Sequence, residues 1–419
     1  MLLLTLPVHL LARPLTLPEA EALAIDYSPA IKRWALQADL QQQQGIASAQ
    51  LPDPSINLGL INLPTDSFKL DQEPMTQLKL GINQMIPPGR TLKLNRKRFE
   101  HQHTQQMHQL ENETFLTVRT VRMIWLEILY AQAMKKAILR DQKLFTQLLN
   151  TTRSLYAVGR QNQQDVILAQ LQLSKLQQRL IKVTQQISSQ RASLGQWIGI
   201  KASKQIFHKK LPTWQYKPIN EEQIICQLKH HPHVKALDNK TAAMNTGIAL
   251  AHQRYKPSWG IGASYSYRDA QSTNGAQRSD LLSAQVTVSA PLFPKNRQDK
   301  QLAAAQLKKA ASSEERVNIL NIMSAQASTE QANISALQQQ QTLFEKTILH
   351  QSKQRAESSL SAYQSNRGDF NSVIRAYISD LNIQIDYERI KIDQLKDLAS
   401  LKYFFPASPS FHTEEYNCE

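Results

Sequence analysis

Residues that interrupt helices are scarce in this sequence of 419 residues, which holds 12 glycines and 18 prolines. None of them occurs in residues 91–158 or 295–367. A helix filling 91–157 or 295–363 would be about 100 Å long, at about 1.5 Å per residue. Because helices of ordinary globular domains are far shorter, this scarcity predicts long coiled or bundled helices.

Cysteines and long apolar runs are equally scarce. Cys226 and Cys418 are too few for a disulfide framework and lack metal-finger spacing. No run of 18 apolar residues occurs, so a membrane-spanning helix is not predicted, although membrane β-strands leave a much weaker trace. With 41% apolar and 20% charged residues, the chain is able to bury a large core.

Sequence signatures of catalysis are missing. There is no nucleophile elbow, phosphate loop, zinc-binding helix motif or dinucleotide fingerprint. The histidines favour structural roles: His231 and His233 flank a Pro that starts a helix, and His101 and His103 face different directions. We therefore predict no enzyme, no cofactor and no metal site.

Positive charge exceeds negative, with 49 Lys and Arg against 34 Asp and Glu. Part of the excess is concentrated at Arg90, Lys93 and residues 96–98, but no interleaved aromatic residues or nucleic-acid-binding fold accompany it. We interpret this cluster as a solvated helix face, with attraction to anionic lipid headgroups as the functional alternative. A nucleic-acid partner is not predicted.

An internal repeat organises the chain. Four landmarks of the first half recur in order in the second half, at offsets that drift from 203 to 207 residues. They are Pro29 with Pro232, Pro54 with Pro257, Pro88 with Pro294, and the pair Tyr156 and Arg160 with Tyr363 and Arg367. The repetition predicts a tandem duplication, with repeats at 13–200 and 221–405, a connector at 201–220, a signal-peptide remnant at 1–12 and a loose tail at 406–419.

Each repeat contains two alternating segments, which predict strands with one apolar and one polar face. The apolar positions are Ile56, Leu58 and Leu60, then Leu78, Leu80 and Ile82, then Trp259, Ile261, Ala263, Tyr265 and Tyr267, and finally Val286, Val288, Ala290 and Leu292. A long helix and a return helix follow each pair. Heptad spacing from Val166 to Ile187 and from Ile374 to Ala399 predicts helix-on-helix packing of the return helices.

Four amphipathic strands are too few to close a membrane barrel, which begins at about eight. Since every backbone group in hydrocarbon must be paired, several copies of the chain would have to share one barrel. The pattern therefore predicts an oligomeric duct. A soluble coiled-coil scaffold or periplasmic adaptor without a pore is the alternative of another class.

The chain resembles the TolC-type outer-membrane efflux family. The resemblance lies in the opening Leu15-Thr16-Leu17-Pro18-Glu19-Ala20, the segment Tyr156-Ala157-Val158-Gly159-Arg160 with Asp165-Val166, and Leu194-Gly195-Gln196-Trp197-Ile198-Gly199. It implies a mixed α and β fold, with a periplasmic α-barrel of long helical hairpins below a shared trimeric 12-stranded β-barrel. It also implies a homotrimer in the outer membrane of a Gram-negative bacterium, with a periplasmic adaptor, an inner-membrane pump and outer-membrane lipid as partners.

Residues 51–75 further resemble the heavy-metal branch of the family, through Leu51-Pro52-Asp53-Pro54, Asn62-Leu63-Pro64 and Gln72-Glu73-Pro74-Met75. That branch works with resistance-nodulation-division pumps, so heavy-metal cations are the expected cargo. Drug or xenobiotic export and type I protein secretion are the alternatives on the same fold.

The resemblance also locates a candidate site at the turns between long and return helices, which in the family close the tunnel and meet the adaptor. The residues concerned are Tyr156, Gly159, Arg160, Asp165, Tyr363, Arg367 and Asp369. Asp165 is matched by Ser372 in the second repeat, and this asymmetry predicts hydrogen bonds between unlike turns. The alternative is that these are turn and cap residues, with Asp165 as a helix cap.

Overall fold

The computed structural model describes residues 14–269, 271, 275–365 and 367–406. The predicted signal remnant and all but the first residue of the predicted tail lie outside these residues. The chain is mostly helical, with one small antiparallel sheet, which confirms the predicted fold class.

Helices and strands follow one another in an order that is repeated once along the chain. The first set comprises α1 (Leu17–Tyr27), α2 (Pro29–Ala47), β1 (Ser55–Ile61), β2 (Gln77–Ile86), α3 (Thr91–Ala157), α4 (Gln163–Ile198) and α5 (Ile200–Ser203). The second comprises α6 (Glu221–Lys229), α7 (Pro232–Gln253), β3 (Ser258–Tyr267), β4 (Leu281–Ser289), α8 (Gln298–Leu343), α9 (Leu349–Gln364) and α10 (Phe370–Phe404). Two strands, a long helix and a return helix thus occur in each half.

The second long helix is interrupted, unlike the first. The uninterrupted helix predicted at 91–157 is α3 to the residue, whereas a π-helix at Phe344–Ile348 separates α8 from α9. The ring of Phe344 stacks on Tyr387 of α10 at a centroid distance of 6.4 Å. Neither Gly nor Pro marks this π-helix, so the sequence pattern predicted one helix there.

Strand β4 is shorter than predicted. The alternating pattern extended to Ala290 and Leu292, but the strand ends at Ser289. Pro291 follows immediately, and proline has no backbone N–H to donate to a strand ladder.

The chain forms two compact units, each with segments from both repeats. Among the described residues, the helical unit holds 14–32, 111–231 and 320–406, and the sheet unit holds 33–110 and 232–319. No helix among the described residues has the length and hydropathy needed to cross a membrane.

Two apolar clusters form the core of the helical unit. In the first, the heptad residues of α4 and α10 pack against α3, as predicted: Ala169, Leu176, Val183, Ile374 and Leu381 are buried together with Phe145. In the second, Trp125 of α3 stacks on Phe207 of the connector at 4.6 Å between ring centroids. A parallel bridge between Leu15 and Phe207 anchors the N-terminal segment beside this cluster.

The sheet unit contains a four-stranded antiparallel sheet in the order β1-β2-β3-β4. Each strand pairs with its neighbour in sequence, and β1 and β4 form the two edges. The helices α2 and α7 precede β1 and β3 respectively, at equivalent places in the two repeats.

Candidate functional site

One face of the sheet is apolar across all four strands. The ladder places Leu58, Leu80, Tyr265 and Leu282 in a single row, and these side chains are 73%, 52%, 49% and 83% exposed. The adjacent row contains Ile56, Ile82, Ala263 and Ala284. Since side chains alternate between faces along a strand, an apolar surface of this extent needs an apolar environment.

The opposite face of the sheet is polar and concave. Its rows include Asn57, Gly81, Ser264 and Ser283, which pair in register across the strands. These residues line a cavity of about 310 Å³, together with Lys79, Asn83 and Gln285. The sheet is therefore amphipathic, with one face suited to apolar surroundings and the other to water.

The first candidate turn ends α3 through Gly159. The backbone N–H of Arg160 donates to the Leu155 carbonyl at 2.9 Å, and that of Gly159 to the Tyr156 carbonyl at 2.9 Å. This pair of bonds is a Schellman motif, in which the residue after the helix adopts a left-handed conformation. Gly159 has a φ of 71°, which glycine adopts without a Cβ clash.

The second candidate turn repeats this geometry. The backbone N–H of Arg367 donates to the Ala362 carbonyl at 2.8 Å, which is the Arg160 bond displaced by 207 residues. The side chains of Arg160 and Arg367 are exposed and form no hydrogen bond or ion pair within the described residues. Tyr156 is also exposed, at 46%.

The two return helices begin with different polar residues at their N-cap and third positions. In α10, Asp369 is the N-cap, and its carboxylate accepts from the backbone N–H of Ser372 at 2.8 Å and from its hydroxyl at 2.7 Å. In α4, the N-cap is Asn162, whose side chain makes no capping bond. The interpretation of Asp165 as the cap is therefore wrong in position, because Asp165 is the third residue of the helix.

The pKa values of the two carboxyl groups, Asp165 and Asp369, are shifted in opposite directions. Burial, and after it the charge of Asp369, raises the pKa of Asp165. The hydroxyl and backbone N–H of Ser372 lower the pKa of Asp369, which is fully exposed. The two carboxylates thus lie close enough to interact, although they belong to different repeats.

Tyr363, just before the second turn, is buried. Its side chain is 4% exposed, and its ring packs on Phe370 at 5.2 Å between centroids. The hydroxyl is buried without a hydrogen-bond partner among the described residues. Burial raises the pKa of Tyr363, the nearby Thr152 opposes the rise, and the Asp165 charge adds to it. Among the described residues this hydroxyl donates to no carboxylate, so the hydrogen bond expected between unlike turns remains a prediction about the assembly.

The structure thus brings Asp165, Tyr363 and Asp369 together, and leaves Tyr156, Arg160 and Arg367 on the surface around the turns. Sequence reasoning missed Asn162, Thr152 and Phe370. The repeat offset was the signal that would have found Asn162, since it pairs with Asp369 at 207 residues.

The histidines have structural roles where the structure describes their contacts. His231 is 1% exposed, and its Nε2 lies 3.0 Å from the Tyr403 carbonyl oxygen. His103 contacts the Ala38 carbonyl through Nδ1 at 2.9 Å. Within the described residues, no group of three or more His, Cys, Asp or Glu side chains is arranged to hold a metal ion.

Comparisons with known proteins agree with this architecture. Residues 22–200 match the family model of the outer membrane efflux proteins. No curated protein sequence matches the chain significantly. Among solved structures, CusC is similar with a TM-score of 0.77 at 13% identity, over 93% of this chain and 91% of CusC.

Two further channels share the fold. VceC from Vibrio cholerae has a TM-score of 0.77 at 14% identity, covering 93% of this chain and 95% of VceC. The MtrE outer membrane channel of Neisseria gonorrhoeae, in its open state, has a TM-score of 0.74 at 13% identity, covering 93% of this chain and 88% of MtrE. At these identities the likeness is one of fold.

These solved channels share the mainly helical fold with a small sheet that the structure of this chain shows. Residues 22–200 of this chain thus match the outer membrane efflux protein family, and the whole described fold is similar to that of solved outer-membrane channels.

Proposed function

We propose that three copies of this chain assemble into a passive outer-membrane channel of a tripartite efflux system. The observation that supports it most directly is the apolar face shared by all four strands, opposite a polar concave face. Such a sheet is stable in a bilayer when its apolar face meets lipid and its polar face lines water.

Hydrogen bonding at the sheet edges supports an assembly of several copies, and the family resemblance supports the number three. Within one chain, β1 and β4 each have a strand partner on one side. In hydrocarbon their outer N–H and C=O groups need partners, which β4 and β1 of neighbouring copies would supply. Three copies provide twelve strands, within the range of closed membrane barrels.

The helical unit would lie in the periplasm and meet a periplasmic adaptor, which links it to an inner-membrane pump of the resistance-nodulation-division type. The turns around Tyr363 and Asp165 would form the closed end of the tunnel and the docking surface for the adaptor. The free energy of transport would come from the pump, so the channel needs no catalytic residue.

For the cargo we propose heavy-metal cations, because the segment 51–75 resembles the heavy-metal branch. The base of the loop between β1 and β2 is well defined: Asn62 has a φ of 56°, and its amide donates to the Met75 carbonyl at 3.2 Å. The Thr76 hydroxyl donates to the Asn62 carbonyl at 2.7 Å. This loop lies in the segment that resembles the heavy-metal branch, and we do not propose that it binds metal.

Assembly is tested by purifying the full chain in detergent and measuring its mass by light scattering and its conductance in planar bilayers. We expect a trimer with discrete conductance steps. A folded, monodisperse monomer without conductance would contradict the proposed channel.

Cargo is tested separately, by deleting the gene and measuring tolerance to copper and zinc ions alongside antibiotic accumulation. Metal sensitivity without a change in antibiotic accumulation is expected. Unchanged metal tolerance with raised dye or antibiotic accumulation would assign the channel to xenobiotic export, and a secretion defect alone would assign it to type I secretion.

A further inference from the structure

A basic groove lies in the helical unit, where the middle of α3 meets the end of α4 and the connector. Its volume is about 630 Å³. Six of its ten lining residues are cationic and none is acidic; the cations are Lys135, Lys136, Arg140, Lys143, Arg191 and Lys209. We call this site the connector groove.

Most of these cations lack a partner of opposite charge. Arg140 pairs with Asp141 at 2.8 Å, while the other five form no ion pair within the described part of the chain. Arg191 lies over the Phe207 ring, at 4.8 Å from its centroid, and its Nε atom is buried without a hydrogen-bond partner among the described residues. The Oε1 atom of Gln132, another lining residue, is also buried without a hydrogen-bond partner among the described residues. Buried polar atoms are normally hydrogen-bonded, so these two atoms can take part in binding a ligand in the groove.

The fold does not require this concentration of charge. Lys136, Arg140 and Lys143 are spaced by four and three residues on α3, where like charges repel one another and destabilise the helix. The positions 207 residues later carry Leu343, Thr347 and His350. The second repeat therefore builds the equivalent part of its long helix with fewer cations.

The floor of the groove is apolar. Ile206 is 66% exposed and Leu139 39% exposed, and the Phe207 ring lies beneath Arg191. A small inorganic anion or a sugar polymer would leave these side chains in water. A ligand that covers them and also neutralises the surrounding cations must carry aliphatic or aromatic groups together with several carboxylates.

We propose that the connector groove binds an acidic, amphipathic peptide segment of a partner protein. From Gln132 to Lys143 the groove follows α3 for about 16 Å, which is the length of about three helical turns of a bound peptide. Leu139 and Ile206 contact its apolar side chains, and the flanking cations pair with its carboxylates. The surface is separate from the candidate turns, because Lys143 and Tyr156 are about 20 Å apart along α3. The proposal does not depend on channel activity.

Fluorescence anisotropy of a labelled peptide against the full chain in detergent tests this surface. The probe is a helical peptide of about 14 residues with Leu on one face and Glu on both flanks, long enough to span the groove. One control peptide has Gln for every Glu, and another has Ser for every Leu. We expect saturable binding of the acidic peptide, weakened by salt, and at least tenfold weaker binding of each control.

Paired variants of the protein separate the groove from its general positive charge. Lys136→Glu with Lys143→Glu should weaken binding at least tenfold, whereas Lys182→Glu with Lys201→Glu, which makes the same charge change outside the groove, should alter it less than twofold. Ile206→Ser should weaken binding several-fold. Ile181, equally exposed at 66% on α4, supplies the matched control Ile181→Ser, which should have no effect.

Three results would overturn the proposal. Equal losses in both charge-reversed pairs would mean non-specific attraction, and equal binding of polyglutamate and the Leu-containing peptide would mean a site for polyanions without an apolar requirement. The third is protection of a Lys143→Cys thiol from a maleimide in the purified protein alone, which would show that another copy of the chain already covers the groove.

Discussion

Burial, and after it the carboxylate of Asp369, raises the pKa of Asp165, although the two residues lie at the starts of return helices in different repeats. Asp369 is exposed and fixed by Ser372, whereas Asp165 is partly buried and has no comparable hydrogen bond among the described residues. The two turns therefore use their acidic residues differently. In α10 the Asp369 carboxylate stabilises the start of the helix. In α4 the charged form of Asp165 is destabilised by burial, which is consistent with a role other than capping.

This difference predicts unequal effects of removing the two N-caps. Asp369→Ala should lower the free energy of unfolding clearly more than the corresponding change in the first repeat, because the backbone N–H of Ser372 loses its acceptor. Asn162→Ala, at the equivalent position, should change it by less than ~0.5 kcal/mol, since the Asn162 side chain makes no capping bond. Thermal unfolding of both variants in the same detergent checks the difference. Equal losses would contradict the assigned caps.

Gly159 makes a prediction about backbone conformation. A Cβ at this position would meet no atom within 4 Å, so any cost of substitution must come from the φ of 71°. We expect Gly159→Val to destabilise the chain by about 1–2 kcal/mol and Gly159→Asn by clearly less, because Asn tolerates the left-handed region. Denaturation of both variants measures this. A Val variant as stable as the Asn variant would contradict the predicted strain.

Long-period patterns in the sequence predicted most of the fold. The absence of Gly and Pro from residues 91–158 predicted one uninterrupted helix, which is α3, since nothing in that stretch favours a helix end. Alternation predicted all four strands, because the sheet is apolar on one face only. The offset of 207 residues located both turns. These signals survive in a single sequence because each is repeated over many residues.

The local polar geometry was not predictable in the same way. The π-helix at Phe344–Ile348 depends on tertiary contacts such as the stacking of Phe344 on Tyr387, which carry no sequence signature. Asp165 was given the cap position because it precedes an apolar heptad, but the N-cap lies three residues earlier, at Asn162. The burial of the Tyr363 hydroxyl results from the packing of α3, α9 and α10 together, which no single segment reveals.

A partly buried ionic cluster ties α3 to α10 and predicts a large effect of one substitution. Glu127 accepts from Arg389 Nη1 at 2.9 Å and also from Lys396, and its side chain is 17% exposed. Burial disfavours its ionised form, but the hydrogen bonds from Lys396 and Arg389 outweigh burial and lower the pKa of Glu127. Replacing Glu127 with Ala would leave Lys396 largely buried without its counter-charge, at a cost of about 2–4 kcal/mol.

The control for Glu127 is an exposed ion pair in the same unit. Glu357 lies 3.9 Å from Lys353, with side chains 64% and 72% exposed. Glu357→Ala should cost no more than ~0.5 kcal/mol. Chemical denaturation measures the free energy of unfolding of both variants. Similar losses would mean that solvent screens the ion pairs of Glu127 as much as the exposed pair.

Asp397 predicts a pH dependence of stability. Burial, followed by the nearby Glu330 carboxylate, raises the pKa of Asp397 to about 7. Between the ordinary value of 3.8 and about 7, the folded chain holds a proton that the unfolded chain releases. The contribution of this group to stability is therefore complete below the unfolded pKa and is lost as the pH rises towards 7.

Asp397→Asn should remove this decline, because its side chain is neutral at every pH. At pH 8 the variant should be more stable than the wild type by about 1–2 kcal/mol, allowing for partial exposure to solvent. Asp386→Asn replaces an exposed aspartate of the same helix and should leave the pH profile unchanged. Thermal unfolding between pH 4.5 and 8 measures all three proteins, and parallel profiles for the wild type and Asp397→Asn would contradict the prediction.

The last prediction concerns the turns as a gate. Within one chain, the Tyr363 hydroxyl has no hydrogen-bond partner among the described residues, and Asp165 remains a carboxylate of raised pKa close by. If the turns close the tunnel, Asp165 would bond to an unlike turn of a neighbouring copy, and the Tyr363 hydroxyl, which is buried in the single chain, would join that bond after its turn rearranges on assembly. Each such bond contributes about 1–3 kcal/mol, and threefold repetition would keep the resting channel closed while a partner protein is still able to open it.

Single-channel recording in planar bilayers tests this gate with Asp165→Ala, Tyr363→Phe and the double variant. Each single change should raise the resting conductance several-fold, and the double variant should show less than the additive effect, because residues that share one bond are energetically coupled. Tyr387→Phe is the matched control, because Tyr387 lies away from the turns. The change removes a hydroxyl that donates to Glu345 at 2.6 Å. Its conductance should equal that of the wild type. If the Asp165 and Tyr363 variants also conduct like the wild type while the trimer remains intact, then these residues only shape the turns, and the closure lies elsewhere in the tunnel.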